Sequence, residues 1–491
     1  MSRRSFSTIL AIVFLLTSCS GVGLSGLTPT DPTLRSNPDG LTKQKPFIAS
    51  TGSPITPGSS QVPQPPIARP IYTLNAILDY ATHSLTVDET IFFQNDSGVI
   101  LPDLVMAVEP NLWAGCFVLG GLLVNGQETG KPSLMGDRLV VPLVNSLVPG
   151  GSVTISLQFD LHLPAADIHH VFGFNTRQVN LVDWYPFIVP YSNGWILHPP
   201  ANVGEHLTYD VADFDVTVTQ QDPSTPVVLA ASAPEEKIAG GSHYILKNAR
   251  TFVFSASPSY QTSSIMIADI TITSYYFRGN ETPSGAVLDA ATRAINTFSE
   301  IFGTYPHSSL SIVESPFFDG MEYDGLFFLS QDYYKTYDGK LLSNLVDLAV
   351  HETAHQWWFG QVGNDQAMEP WLDEALATYS EELFYEKNIP NISAWWVFRV
   401  ESFSPSGWVD TDIYNGINFR TYANAVYLRG AQFLEAVRKI IGDEAFFAFL
   451  KDYSVTMSGK ISTSKDFFRI LGTHSKANIS NLISSYFQHS K

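Results

Sequence analysis

The chain has 491 residues, of which 44% are hydrophobic, so it can form two or three domains with sizeable cores. Acidic residues outnumber basic ones by 47 to 28, and the formal net charge is -19. Nucleic acid is therefore excluded as an expected partner, because binding phosphates requires basic patches. The composition leaves the oligomeric state open.

The first residues have the pattern of an export signal. Arg3 and Arg4 precede a short apolar run at residues 8–16, which is too short to span a membrane. The run ends in LTSC at residues 16–19, which resembles the lipobox of bacterial lipoproteins. Residues 1–19 are therefore predicted to be a lipoprotein signal peptide. Lipidation of Cys19 would anchor an extracytoplasmic protein to the membrane. An ordinary signal peptide with a chance cysteine is the alternative.

Residues 20–70 are rich in Ser, Thr, Pro and Gly, and prolines recur through residues 50–70. Such a composition cannot build a core and predicts a disordered tether. The second of the two cysteines, Cys116, has apolar neighbours and no internal partner if Cys19 is lipidated. It is expected to be a buried structural thiol.

Residues 71–262 have the pattern of a β-rich N-terminal domain. Segments such as YTLNAILDY and LTVDETIFFQN alternate apolar and polar residues and end at turn formers. No long amphipathic helix interrupts the series of segments. We expect an antiparallel β domain of the sandwich or saddle kind.

Residues 263–491 are predicted to form a mainly helical catalytic domain. A strand near Ser263 is followed by apolar residues at helical spacing up to Ile301, with Gly303 as the stop. A second strand at residues 310–313 leads to the segment DGMEY at residues 319–323. Further helical patterns continue to a short helical C-terminus.

An HExxH motif stands at residues 351–355. Its two histidines are four positions apart on a predicted helix, which begins at Ser343 and Asn344 and ends near Gly360. Both rings therefore lie on one face and can reach a single metal ion. Glu352 is in the motif but is not a ligand, and it is placed to take a proton from water and later donate it to the leaving amine.

Hydrolytic zinc sites have three protein ligands and leave one position to water. Eighteen residues separate His355 from Glu374, which lies on a second helical pattern that opens at Pro370. Helix, turn and helix would return Glu374 to the two imidazoles. The sequence thus predicts one Zn²⁺ per chain, held by His351, His355 and Glu374, although cobalt or manganese are not excluded.

The residues around these ligands resemble the aminopeptidase N-like zinc aminopeptidases. The family carries HExxH followed by Gln-Trp-Phe-Gly, then a glutamate in Trp-Leu-x-Glu. Here the segments are HQWWFG at residues 355–360 and WLDE at residues 371–374. The resemblance extends from about residue 70 onward. It implies an α+β multidomain protein, with a thermolysin-like catalytic domain after the β domain.

The resemblance also implies a substrate-binding strand at Gly320, Met321 and Glu322. The family has Gly-x-Met-Glu-Asn there, and its glutamate holds the free α-amino group of the peptide. Asp319 and Tyr323 depart from the family pattern. A carboxylate facing an ammonium group forms a charge-assisted hydrogen bond, so Glu322 is expected to favour free N-termini.

The segment YLRGA at residues 427–431 matches the family's Tyr-x-Lys-Gly-Ala. The family's tyrosine donates a hydrogen bond to the tetrahedral oxyanion, which assigns that role to Tyr427, with Tyr422 as the nearby competitor. The family's larger members continue into a long helical domain. Little of that domain fits in this sequence, so a more open cleft is expected.

Three functions remain open on the sequence alone. The first is a zinc aminopeptidase that trims extracytoplasmic peptides. The second is an endo-acting peptidase of the same gluzincin clan, which the residues Asp319 and Tyr323 would accommodate. The third is a non-catalytic peptide-binding module on the same fold. The sequence does not give the preferred N-terminal residue, the membrane leaflet or the physiological substrate.

Overall fold

The computed structural model describes residues 69–389, 394–416 and 418–489. Residues 66–491 form one compact unit. The predicted signal peptide with Cys19, and the predicted tether up to residue 68, lie outside the described residues. None of the helices in the described part of the chain is long and apolar enough to cross a membrane.

The N-terminal part consists of sixteen strands in the described residues. They are β1 (Ile71–Asp79), β2 (Ser84–Gln94), β3 (Leu101–Ala107), β4 (Phe117–Val124), β5 (Gln127–Glu128), β6 (Ser133–Met135), β7 (Arg138–Leu147), β8 (Ser152–His162), β9 (Gly173–Phe174), β10 (Val179–Leu181), β11 (Phe187–Ile188), β12 (Ala212–Gln220), β13 (Val228–Ala231), β14 (Glu236–Ile238), β15 (Gly241–Ala249) and β16 (Phe254–Ser257).

These strands form three sheets. The largest has eight strands in the order β14-β15-β12-β1-β2-β8-β4-β5, and the four-stranded sheets are β13-β16-β10-β9 and β11-β3-β7-β6. Pairing is antiparallel, as predicted, except that β1 and β12 run parallel. Alternate residues of β1, β2 and β8 are buried, which explains the period of two in the sequence. The helix between these strands is a single 3₁₀ turn at Glu109–Leu112.

The second part begins with a five-stranded sheet in the order β17-β18-β19-β21-β20. Its strands are β17 (Gln261–Ile267), β18 (Ile270–Tyr276), β19 (Ser309–Ser315), β20 (Gly320–Tyr323) and β21 (Leu326–Ser330). Strand β20 pairs only with β21, so it is an edge strand among the described residues. Two short strands, β22 (Val362–Asn364) and β23 (Lys460–Ser462), form a separate parallel pair.

Ten helices complete the described chain. They are α1 (Glu281–Ile301), α2 (Gln331–Thr336), α3 (Asn344–Ala354), α4 (Trp371–Asn388), α5 (Ala394–Arg399), α6 (Phe419–Ala423), α7 (Arg429–Ile441), α8 (Asp443–Thr456), α9 (Ser464–His474) and α10 (Ser480–Tyr486). A π-helical turn at Asn424–Leu428 joins α6 to α7. The predicted class, a β-rich part followed by a mainly helical part, is confirmed.

One prediction about the helices was wrong in its extent. Helix α3 ends at Ala354 rather than near Gly360, and turns follow it. Phe359 has a positive φ of 154°, and the carbonyls of Phe359 and Gly360 accept hydrogen bonds from Arg250. Ser343 occupies the N-cap position of α3, but its side chain makes no capping hydrogen bond.

Arg250 joins the β-rich part to the helical part. Its guanidinium is buried and donates hydrogen bonds to the carbonyls of Phe359, Gly360, Tyr209 and Lys460. Its backbone N–H donates to Asp324, on the turn between β20 and β21. Because one residue satisfies carbonyls from both parts, the interface is held by buried polar bonds as well as by apolar packing.

Candidate metal centre

Three ligand atoms from α3 and α4 converge on one point. His351 Nε2 lies 3.1 Å from His355 Nε2, and the two nitrogens lie 3.3 and 3.5 Å from Glu374 Oε2. Zinc bonds of roughly 2.0–2.2 Å would place tetrahedral ligand atoms about 3.3–3.5 Å apart. The three side chains are 8%, 1% and 4% exposed, respectively. The predicted set is therefore brought together with the spacing of a zinc site.

Each of the two imidazoles is oriented by a hydrogen bond at Nδ1, the ring nitrogen that is not part of the ligand cluster. His351 Nδ1 lies 2.8 Å from Glu381 Oε1, and His355 Nδ1 lies 2.9 Å from the carbonyl of Trp358. These acceptors require N–H at Nδ1, so in the neutral rings both Nε2 atoms present lone pairs to each other and to a carboxylate. Lone pairs that face each other at this distance repel unless a cation lies between them. The donor set thus fits a bound metal.

The electrostatics of the ligands show that positive charge is favoured at this point, whether a proton or a metal ion supplies it. Burial acts to raise the pKa of Glu374, but the nearby rings of the two histidines outweigh it and lower that pKa to about 2. Burial acts to lower the pKa of His351, while its contacts with Glu374 and Glu381 raise it to about 9. The centre is built to keep Glu374 as a carboxylate.

Glu352 lies beside the ligands and under strand β20. Its side chain is buried, and its Oε2 makes no hydrogen bond among the described residues. A Cβ at Gly320 would come within 2.1 Å of Glu352 Oε1, so a larger residue at position 320 would displace the Glu352 side chain. Burial raises the pKa of Glu352 well above its usual range. A carboxyl with a raised pKa can both accept and release a proton.

Glu322 faces the same centre from the edge strand. A carboxylate oxygen of Glu322, a carboxylate oxygen of Glu352 and a ring nitrogen of His355 all lie within 4.8 Å of one another. Glu322 is 7% exposed, and Gln366 donates a hydrogen bond of 3.4 Å to it. Met321, the preceding residue on β20, packs instead against the core of the β-rich part. The alternation of β20 thus directs the carboxylate to the metal ligands.

Tyr427 reaches the centre from the π-helical turn. Its hydroxyl donates a 2.6 Å hydrogen bond to Glu374 Oε1, and its ring lies parallel to that of His351 at 6.1 Å. A Cβ at Gly430 would approach the Cβ of Ala375 to 2.3 Å, so glycine allows α7 to pack closely against α4. The competitor Tyr422 is buried, and its hydroxyl makes no hydrogen bond among the described residues.

Three residues near the site were not predicted. Glu381 accepts a hydrogen bond from His351 Nδ1. Arg399 in turn donates two hydrogen bonds to Glu381, from Nε to Oε2 at 2.9 Å and from Nη2 to Oε1 at 3.2 Å. Seven positions after Glu374, Glu381 shares a face of α4 with it, and this spacing could have revealed it. Glu205 follows Gly204 on a loop before β12. Its pKa is raised well above the usual range by burial and then by the charges of Glu374 and Glu322. Nothing in the local sequence marks Glu205.

The geometry agrees with comparisons against known proteins. Residues 286–486 match the protein family described as "Peptidase family M1 domain". Aminopeptidase M1-D of Oryza sativa subsp. japonica is 24% identical over 216 residues, covering 40% of this chain and 25% of that protein. Aminopeptidase N of Lactobacillus delbrueckii subsp. lactis is 26% identical over 303 residues, covering 56% and 35%. The aligned segment spans about a third or less of these relatives.

The fold is shared with solved M1 structures. The crystal structure of an M1 zinc metallopeptidase from Deinococcus radiodurans matches with a TM-score of 0.63 and 18% identity, covering 86% of this chain and 94% of that one. A variant of that protein bound to a Tyr-Ser-Ala substrate matches with a TM-score of 0.62 and 19% identity, covering 85% and 93%. The M1 fold with a β-rich part before the helical part therefore describes this chain.

Cys116 is buried, as predicted, and burial raises the pKa of its thiol to about 12. A thiol with so high a pKa is protonated at neutral pH and is a poor nucleophile. The structural role predicted for Cys116 is consistent with its position.

Proposed function

We propose that the chain is a zinc-dependent aminopeptidase that removes N-terminal residues from extracytoplasmic peptides. The observation that carries this proposal is the placement of Glu322 on an edge strand, facing the His351, His355 and Glu374 cluster. One carboxylate is then available for the peptide amine beside a centre suited to hydrolysis. The names of the relatives, all aminopeptidases, support the same activity.

Substrate binding would use strand β20 and Glu322. An extended peptide can pair with the free edge of β20 by main-chain hydrogen bonds. Its α-ammonium group would meet the Glu322 carboxylate, which anchors the first residue and leaves the first peptide bond near the metal ligands. An acetylated N-terminus has no positive charge and loses this contact.

The remaining residues would each have one role in the hydrolysis. Zinc held by His351, His355 and Glu374 would supply a Lewis acid that polarises the scissile carbonyl and acidifies water. Glu352 would take a proton from the attacking water and deliver it to the leaving amine. Tyr427 would turn its hydroxyl from Glu374 Oε1 to the carbonyl oxygen and donate a hydrogen bond as negative charge develops there.

The test compares a peptide with a free amine and its N-acetylated twin, using the full chain in detergent. We expect cleavage of the free peptide alone. Glu352→Gln should abolish it while zinc content stays at that of the wild type, because Glu352 is not a ligand. The matched control is Glu300→Gln, an exposed residue paired with Lys387, which should retain activity.

Two further results would change the assignment. Cleavage of both peptides would make the protein an endo-acting peptidase, with Asp319 and Tyr323 as the residues to examine. Zinc binding with no cleavage of either peptide would favour a peptide-binding module. Tyr427→Phe should lower kcat by roughly 100-fold or more if its hydroxyl stabilises the oxyanion.

We also propose that Cys19 carries a lipid that anchors the protein to a bacterial membrane. The LTSC segment after an apolar run supports it. Radiolabelled palmitate should be incorporated into the wild type and into Cys116→Ser, but not into Cys19→Ser. The Cys19→Ser protein should also leave the membrane fraction. Equal labelling of all three proteins would contradict the anchor.

A further inference from the structure

A second cluster of metal-ligand side chains lies in the β-rich part, outside the centre described above. It consists of Glu109 from the 3₁₀ turn, Asp137 from the turn between β6 and β7, and His206 from the loop before β12. Their ligand atoms lie within 4.8 Å of one another. We propose that these three residues bind a second divalent cation, with zinc as the ion to test.

The geometry of this cluster repeats that of the centre on α3 and α4. His206 Nε2 lies 3.2 Å from Glu109 Oε2 and 3.6 Å from Asp137 Oδ2. These separations bracket the roughly 3.3–3.5 Å between ligand atoms of a tetrahedral zinc site. One imidazole and two carboxylates form a donor set that suits zinc. The separation between the ligand oxygens of Glu109 and Asp137 is at most 4.8 Å.

Among the described residues, the three ligand atoms have ion-pair contacts only with one another. Glu109 Oε2, Asp137 Oδ2 and His206 Nε2 are all buried and make no hydrogen bond among the described residues. Asp137 is only 8% exposed, and its free oxygen points into the cluster. Buried polar atoms are normally paired, so three orphaned atoms that face one another call for an occupant.

Charge balance favours a cation of charge +2. No lysine or arginine of the described residues forms an ion pair with Glu109 or Asp137. The His206 ring contacts both carboxylates, at 3.2 and 3.6 Å, but its protonation would neutralise only one of them. A divalent cation would neutralise both carboxylates and accept the nitrogen lone pair at the same time. Uncompensated buried charge is costly, so the second solution is the more stable one.

An ion bound at this cluster would affect the loops around it and the neighbouring cleft. The three ligands come from three separate loops, so an ion would tie these loops together. His206 directly follows Glu205, whose carboxylate acts electrostatically on Glu374 and Glu322. The side chains of the cluster are 11–15% exposed, which leaves the ion a path from solvent. The ion would hold the Glu205 loop against the cleft without taking part in the reaction.

The test counts zinc. The full chain is stripped with a chelator, reloaded with zinc alone, and its zinc content is measured by mass spectrometry. We expect two equivalents in the wild type and one in Asp137→Asn and in His206→Gln. Glu374→Gln should weaken the other centre and still retain the ion of the β-rich part. The control Asp289→Asn, at an exposed residue of α1, should bind two.

Zinc content separates this proposal from the proposed peptidase activity, because it needs no substrate. One equivalent in the wild type, unchanged in Asp137→Asn and His206→Gln, would overturn the second site and leave an imidazolium ion pair only. If the substituted proteins do not fold, zinc-edge anomalous diffraction from wild-type crystals decides. A peak between Glu109, Asp137 and His206 would support the site, and its absence in zinc-loaded crystals would overturn it.

Discussion

The two clusters of histidine and carboxylate are built in different ways. At the centre on α3 and α4, His351 lies in the last turn of α3 and His355 is its C-cap residue, and the carboxylate comes from the next long helix. In the β-rich part, Glu109, Asp137 and His206 come from three loops. The first arrangement is fixed by helix geometry, whereas the second depends on how the sheets pack.

The two clusters also differ in the residues that hold their histidine rings in place. Glu381 and the Trp358 carbonyl hold the two helical imidazoles, and Arg399 in turn holds Glu381. Among the described residues, the ion-pair contacts of the His206 ring are only with Glu109 and Asp137, which would share the ion with it. A supported site keeps its ligands in place without the metal, while an unsupported site gains its order from the ion. We therefore expect metal removal to loosen the loops of the β-rich part more than helices α3 and α4.

The largest effect on stability should come from removing the contacts that Arg250 makes between the β-rich part and the helical part. Arg250→Met would leave the carbonyls of Phe359, Gly360 and Tyr209 without their buried donor. It would also leave the buried Asp324 carboxylate without its nearby positive charge. Each buried carbonyl left without its donor costs about 1–3 kcal/mol. Urea unfolding at neutral pH should show a loss of this size in the free energy of unfolding.

A matched arginine tests whether burial is the cause. Arg293 lies on the exposed side of α1 and pairs with Asp289 at i,i+4. Such a pair contributes about 0.5 kcal/mol or less, so Arg293→Met should be almost silent. Equal losses in the two proteins would show that the interface does not depend on the bonds made by Arg250.

The sequence allowed good prediction of elements whose pattern is local. The alternation in β1 and β2 follows from one buried face, and the helical spacing up to Ile301 matches the end of α1. The parallel pairing of β1 with β12 was not predicted, because no local pattern records which distant strand lies alongside. The end of α3 at Ala354 was also missed. The carbonyls of His355, Gln356 and Trp357 accept hydrogen bonds from N–H groups five residues ahead, in turns that no local pattern marks.

For the candidate site, prediction was good where spacing or a family motif gave a signal. His351, His355 and Glu374 meet as expected, and Glu322 and Tyr427 face them. Glu381 was missed although its spacing from Glu374 was visible. Glu205 and the second cluster could not be predicted, because their residues come from irregular loops whose approach is decided by tertiary packing.

The next prediction concerns the support of the helical centre. Glu381→Gln removes the charge that holds His351 through Nδ1, and it leaves Arg399 without its partner. Loss of such a residue behind a metal ligand typically lowers zinc affinity by about 10-fold to 100-fold. Competition with a chelator of known affinity measures this. Glu401→Gln, at an exposed residue, is the control, and an unchanged affinity in Glu381→Gln would mean that His351 is oriented by packing alone.

The smallest effect is expected in the β-rich part, at Glu89. Its side chain is 1% exposed on the core face of β2, and neither carboxylate oxygen makes a hydrogen bond among the described residues. Burial raises the pKa of Glu89 well above its usual range. The unfolded chain therefore loses this proton at a lower pH than the folded one. The penalty from Glu89 is absent at low pH and grows as the pH rises above the ordinary glutamate pKa.

Glu89→Met should therefore stabilise the protein by about 1 kcal/mol at pH 8, because an unsatisfied buried group is replaced by an apolar one. The gain should shrink at pH 5, where the unfolded glutamate is partly protonated and ionisation favours unfolding less. Urea unfolding at both pH values measures the difference, with Glu128→Met at an exposed position of β5 as the control. A gain that is equal at the two pH values would mean that packing, rather than ionisation, sets the cost of Glu89. A loss of stability would mean that the carboxyl has a partner in solution, such as a buried water.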